Sequence, residues 1–178
     1  MDKDLQNKIV SLYGEHKNLK VVGKMLDIPW QTVYWHLNKL GVKCIGDKEK
    51  YGCEKDRFAC KGESYIQNLF GKKAQNMNEK KFQNKFDFII SGLRVDVKSS
   101  KLSMKNNRWP FSLKKQRKVA DFYILLCYDA EGSNVLHHLL IPNFMVRDSM
   151  QTLSVSRNIE SCKWNDFSVS PEQLIKAF

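Results

Sequence analysis

The sequence predicts an α/β chain of the α+β kind in two parts: a small helical module, then a mixed sheet flanked by helices. Three observations carry this. Apolar residues recur with helical spacing through the first forty positions. Short apolar runs bounded by turn residues follow, among them FYILLCY (122–128), apolar throughout as a central strand is. Between the two, residues 42–57 hold charges and glycines with little to bury. The boundaries read as a module at 1–45, a linker at 46–57 and a sheet domain at 58–178. A chain of 178 residues can bury a real core and suits one domain plus an accessory module.

In the module, Leu5, Ile9 and Leu12 share one face of a first helix. Val21, Val22, Met25 and Leu26 make a second, broken at Asp27-Ile28-Pro29. A third helix spans 30–40, with Val33, Leu37 and Leu40 inward and Gly41 stopping it. VVGKMLDIPWQTVYWHLNKLGV thus looks like a helix-turn-helix, with Gly23 where two helices cross closely and Ile28 beneath the turn. The outward side of the third helix presents Trp30, Gln31, Thr32, Trp35, Asn38 and Lys39. Aromatics and amides there are costly as inert surface and useful against base edges and phosphates.

In the sheet domain, residues 59–77 predict a short helix with Ile66, Leu69 and Phe70 apolar, Gly71 ending it and Glu63 in its first turn. The runs 86–90 and 93–97 predict a hairpin turning at Ser91-Gly92. SLKKQRKVAD (112–121) reads as a basic helix, and residues 122–128 and 134–141 as strands. Pro142 opens an irregular or helical stretch, and PEQLIKAF is a final helix with Pro171 at its start. His137 and His138 sit on a strand outside any ligand-spaced cluster and read as structural.

The hydrophobic share of 42% with four Trp, ten Phe and six Tyr excludes a disordered chain. No leader and no membrane span is expected. Five irregularly spaced cysteines do not suggest a disulfide framework and point to a reducing cytoplasm. A structural zinc on Cys44, Cys53, Cys60 and His36 lacks the paired CxxC spacing. The net charge of +11 is concentrated: residues 71–118 hold fourteen Lys and Arg against Glu79, Asp87 and Asp96, as much excess as the whole chain. That uneven distribution suits a polyanion, with nucleic acid favoured over an anionic membrane. Lys101 and Arg108 join the third helix as candidate DNA contacts.

The hairpin carries an acid in each strand, where aspartate is uncommon. Asp96 and Lys98, two apart, share a face, and Asp87 can approach it from the partner strand. Two carboxylates that close raise each other's pKa unless a cation lies between them, so they make a plausible seat for a hard divalent ion. The Val97 carbonyl supplies a further oxygen. Lys98 could then orient the attacking water and stabilise charge on a phosphate.

Glu63, Asp87 and the Asp96-Val97-Lys98 triplet, in that order on helix, strand and strand, resemble the PD-(D/E)XK nuclease superfamily over roughly residues 58–141. Phe86 stands where the motif's proline would precede Asp87. The resemblance implies a nuclease core in which Asp87 and Asp96 hold Mg²⁺ (Mn²⁺ substituting), Lys98 serves the nucleophilic water and Glu63 assists, often indirectly. It also nominates Gln116 or Lys115 on a helix after the hairpin. The expectation is a site-specific endonuclease on double-stranded DNA, of homing or restriction type, prokaryotic or phage-encoded, and a homodimer on its site. Two alternatives stay open: a non-catalytic helix-turn-helix regulator, and a junction-resolving or nicking nuclease.

Overall fold

The computed structural model describes residues 3–44, 47–78, 85–113, 119–147 and 149–178. It is a mixture of helices and a mixed sheet, the α+β class that the sequence predicts. The chain divides into two compact units, one reaching to Arg57 and the other starting at Phe58.

The first unit holds α1 (Lys3–His16), α2 (Leu19–Leu26) and α3 (Trp30–Lys39) around Ile9, Tyr13, Val22, Val33 and Leu37. The Asn18 side chain caps α2 by accepting from the N–H groups of Lys20 and Val21 at 3.0 and 3.2 Å. Asp27 closes that helix in the left-handed region, φ 53°. Gly23 lies where α2 meets the chain entering α3: a Cβ there would stand 2.7 Å from the Ile28 carbonyl oxygen and 3.2 Å from the Trp30 nitrogen. Ile28 packs half-buried on the core. The inward face of α3 differs by one turn from the expected one. His36 is buried with Val33 and Leu37, whereas Leu40 lies past the last helical residue and is exposed. Residues 46–57, read as linker, contain a one-turn helix, α4 (Lys48–Tyr51), capped by the Asp47 side chain, and the start of α5 (Glu54–Phe70).

The second unit is built on a six-stranded sheet, in the order β1 (Ala74–Asn76), β2 (Phe88–Ile90), β3 (Leu93–Lys101), β5 (Phe122–Tyr128), β6 (Val135–Pro142) and β8 (Ser168–Val169). β3 and β5 are parallel and the other pairs antiparallel. β4 (Arg108–Ser112) and β7 (Thr152–Ser156) form a separate two-stranded ribbon. The β2–β3 hairpin turns at Ser91 (φ 49°) and Gly92 (φ 84°), the paired positive angles of a tight two-residue turn. α5 and α6 (Pro171–Lys176) pack on one sheet face through Ile66, Phe70 and Leu174, against Val95, Val97, Ile124 and Leu126. The ribbon covers the other face with Trp109, Phe111, Leu153 and Val155, against Tyr123, Leu125 and Cys127. β5 is therefore buried on both sides, which is why its sequence is apolar without alternation. The segment 114–118, and with it the greater part of the expected basic helix, lies outside the described residues. No helix among the described residues is long and apolar enough to cross a membrane.

Candidate active site

Alternation along β3 sends Val95 and Val97 to the α5 face and Asp96 and Lys98 to the opposite one. The register sets Phe88 against Val95, so continuing it one step brings Asp87 opposite Asp96. β2 begins at Phe88, and just ahead of it the Asp87 side chain continues the ladder. Its Oδ2 accepts the Val97 N–H at 2.8 Å, while its own backbone bonds Val95 and Met77. The register thus sets the Asp87 and Asp96 carboxyls on one face, near enough for each to act on the other's charge.

Burial pushes the Asp96 carboxyl up to about 7, against the opposing pull of Lys98 and with a further push from Asp87. Burial alone would lower Lys98, but the two carboxylates overrule it and hold the ammonium charged. Lys98 Nζ lies 2.6 Å from Asp96 Oδ2 and 3.4 Å from the Val97 carbonyl oxygen. These side chains are largely withdrawn from water, 15% exposed for Asp96 and 27% for Lys98. Tyr123, opposite Asp96 on β5, is buried beside them, and burial followed by the Asp96 charge raises its hydroxyl.

Glu63 reaches this group through a residue that sequence reasoning missed. Asn78, two places beyond β1, donates its side-chain amide to Glu63 Oε2 at 2.9 Å and to Asp87 Oδ1 at 3.2 Å. A lone asparagine in a loop has no periodic or motif signal that would single it out. α5 is fixed at this level by Gly62, where a Cβ would overlap the Ser99 hydroxyl of β3.

Among the described residues, no three His, Cys, Asp or Glu side chains converge as a metal cage. A hard ion of the Mg²⁺ type needs no such cage, because it commonly binds through one or two carboxylates and completes its shell with water and substrate phosphate. The donor set fits that chemistry: two carboxyls set opposite each other by the strand register, a carbonyl beside them and an ammonium bridging Asp96 and that carbonyl.

The other nominated residues fall elsewhere. Lys101 projects to the α5 face, its ammonium 5.3 Å over the Phe58 ring, opposite to Lys98. Arg108 is exposed on β4. Lys115 and Gln116 lie outside the described residues. On α3, Trp30, Gln31, Trp35, Asn38 and Lys39 are exposed and Thr32 is half-buried, with Lys39 Nζ 5.1 Å over the Trp35 ring. Tyr34, absent from the predicted set, completes that exposed face at i+4 from Trp30. His138 is buried on β6 and hydrogen-bonded to the Tyr65 hydroxyl at 2.7 Å, a satisfied core group.

No family model and no curated protein matches the chain. Among solved structures, a bacterial homing endonuclease, I-Ssp6803I, is similar over 70% of this chain and 93% of its own, with a TM-score of 0.49 and 13% identity.

Proposed function

We propose that this chain is a Mg²⁺-dependent endonuclease that hydrolyses phosphodiester bonds of double-stranded DNA at sites chosen by α3. The observation that carries the reading is the Asp87–Asp96–Lys98 group: two carboxyls set opposite each other on adjacent strands, Asp87 half-buried and Asp96 largely out of water, with an ammonium against Asp96. A fold gains little from such a cluster, since the desolvation cost of buried charges tends to exceed their mutual attraction.

In this reading Asp87 and Asp96, with the Val97 carbonyl, hold Mg²⁺ or Mn²⁺. When bound, the ion supplies positive charge to the scissile phosphate and acidifies a water. Lys98 orients the attacking water and balances charge on the phosphate as the P–O bond to the leaving sugar oxygen breaks. Glu63 supports the seat from α5. The net +11 of residues 71–118 holds the polyanion. The exposed Trp30, Gln31, Trp35, Asn38 and Lys39, with Thr32, face the groove as in a helix-turn-helix, and the exposed Arg108 takes a phosphate, whereas Lys101, on the opposite sheet face from Lys98, does not. One seat addresses one phosphate, so a double-strand break calls for a two-fold homodimer on DNA, with half-sites roughly 10 base pairs or a multiple apart. Free cysteines suit a reducing cytoplasm, and a reader joined to a small core suits a homing or restriction role.

The test is incubation with linear, supercoiled and branched DNA in Mg²⁺ or EDTA. Cutting only with Mg²⁺ is expected. Equal DNA binding in both conditions with no cleavage would make the chain a non-catalytic regulator, and preference for branched DNA would make it a junction-resolving enzyme.

A further inference from the structure

We infer that Asn78 is a positioning residue that relays Glu63 to Asp87, so that Glu63 acts as a hydrogen-bond acceptor one residue removed and not as a charge on the ion. This rests on reading the Asp87–Asp96 pair as a divalent-ion seat.

The geometry supports a relay. Glu63 and Asp87 both address the same side-chain nitrogen, at 2.9 and 3.2 Å. An ionised carboxylate only accepts, so the amide nitrogen, with two protons to give, is the end of Asn78 that faces them. The asparagine is itself pinned. Its backbone N–H bonds Asn76 Oδ1 at 2.9 Å, and the preceding Met77 N–H bonds the Asp87 carbonyl at 2.8 Å. Asp87 is thereby held at both oxygens, Oδ1 by Asn78 and Oδ2 by the Val97 N–H. A carboxylate held at two points presents its remaining lone pairs in a fixed direction, which a ligand to a small hard ion requires.

The residue type fits this duty better than its neighbours in chemistry. Serine has one proton to donate and cannot bridge two acids. Lysine or arginine would bring a charge that competes with the ion. Aspartate would add another carboxylate and lose both donors. A neutral amide links two acids without changing the charge of the seat. Glu63 does not join Asp87 and Asp96 in a three-carboxylate cluster, in keeping with an indirect role.

The experiment uses the full chain and the variants Asn78→Ala, Glu63→Ala and Glu63→Gln, with three readouts. In the metal-free protein, NMR of the Asn78 side-chain amide should show slowed exchange, with Glu63→Ala releasing one of its two protons. Calorimetric Mn²⁺ binding without DNA should weaken roughly 10–100-fold in Asn78→Ala, and Glu63→Gln, whose amide oxygen still accepts, should recover most of what Glu63→Ala loses. The double variant Asn78→Ala/Glu63→Ala should be no worse than the poorer single one, because both break one chain of contacts. Thermal unfolding in EDTA reports whether each variant is folded. Should Asn78→Ala fail to fold, the contrast between Glu63→Ala and Glu63→Gln still decides the matter.

Glu63→Gln as damaging as Glu63→Ala would overturn the relay and make Glu63 a direct charge. So would a folded Asn78→Ala that binds Mn²⁺ normally, or amide protons that Glu63→Ala leaves unmoved. Failure of the nuclease reading looks different: the unaltered chain would bind no Mn²⁺ and cut no DNA. That result also removes the relay's role toward an ion, whatever the amide protons show.

Discussion

On α3, three large aromatics stand in water, Trp30, Tyr34 and Trp35 at 42, 47 and 53% exposure. On β3, a carboxylate and an ammonium stand largely out of it, at 15 and 27%. The two units depart from ordinary sorting in opposite senses. Burying a large apolar side chain stabilises by about 1.5–3 kcal/mol, so leaving three outside forgoes a sizeable gain. Withdrawing a charge from water costs several kcal/mol before any partner offsets it. Neither arrangement helps the chain to fold. On the proposed function, each would be explained by something that arrives later: a DNA surface to cover the aromatics and a cation to neutralise the acids. On that reading the two regions can be disabled separately.

The largest expected effect is on the sheet side. Asp96→Ala should lower cleavage by about 10³-fold or more, removing a group that acts on the reacting centre. DNA affinity should hold or rise as repulsion of phosphate is relieved. Cleavage at the unaltered rate would sink the seat, and lost binding would show that the two regions are not separable. Lys98→Ala should follow at about 10²–10³-fold by the same assay.

On the helical side, Gly23→Ala forces a Cβ against main chain that cannot easily give. A cost of about 1–3 kcal/mol in the unfolding of the helical unit is expected, read by chemical denaturation. Gln31→Ala, exposed and without a packing role, should leave stability alone and weaken binding to the cognate site by about 1–3 kcal/mol, with non-specific binding little changed. Trp30→Ala and Trp35→Ala should behave alike. Equal losses on random DNA would mean that α3 holds DNA without reading it.

The smallest effect sharpens the contrast through pH. The Asp96 carboxyl is raised from 3.8 to about 7 on folding, so the folded state binds its proton more tightly than the unfolded state. Its contribution is therefore full below about pH 4 and is lost as pH rises through about 7. In EDTA, stability should fall across that window, and Asp96→Asn should flatten the fall. Mg²⁺ should restore stability at the upper end by binding the folded form. Parallel curves for the two proteins would contradict the burial of that carboxyl.

Much of this was legible in the sequence because each signal was local. The Ser91-Gly92 turn, the unbroken apolar run of β5 and the proline opening α6 each declare an element without help from elsewhere. β1, β4, β7 and β8 escaped for the converse reason. β1 and β8 are too short for a period, while β4 and β7 alternate apolar with polar but carry Pro110, Arg108 and hydroxyl residues. Each becomes a strand only against its partner, far away in the chain. The start of α5 in residues that looked like linker has a related cause, since Glu54-Lys55-Asp56-Arg57 is as suited to a solvated helix as to a loop. The site divides the same way. Asp87, Asp96 and Lys98 follow from alternation and register, and Asn78 becomes visible only in three dimensions.

The double use of Asp87 has a practical side. Its carboxylate stands in for main chain at the end of the β2–β3 ladder, so truncating it orphans the Val97 N–H, a loss of about 1–3 kcal/mol apart from any chemistry. For the proposed nuclease, a silenced chain for capturing an uncut complex is therefore better made at Asp96. A phenotype from Asp87→Ala would mix a loosened hairpin with the loss of the proposed metal ligand, and genetics alone could not tell the two apart.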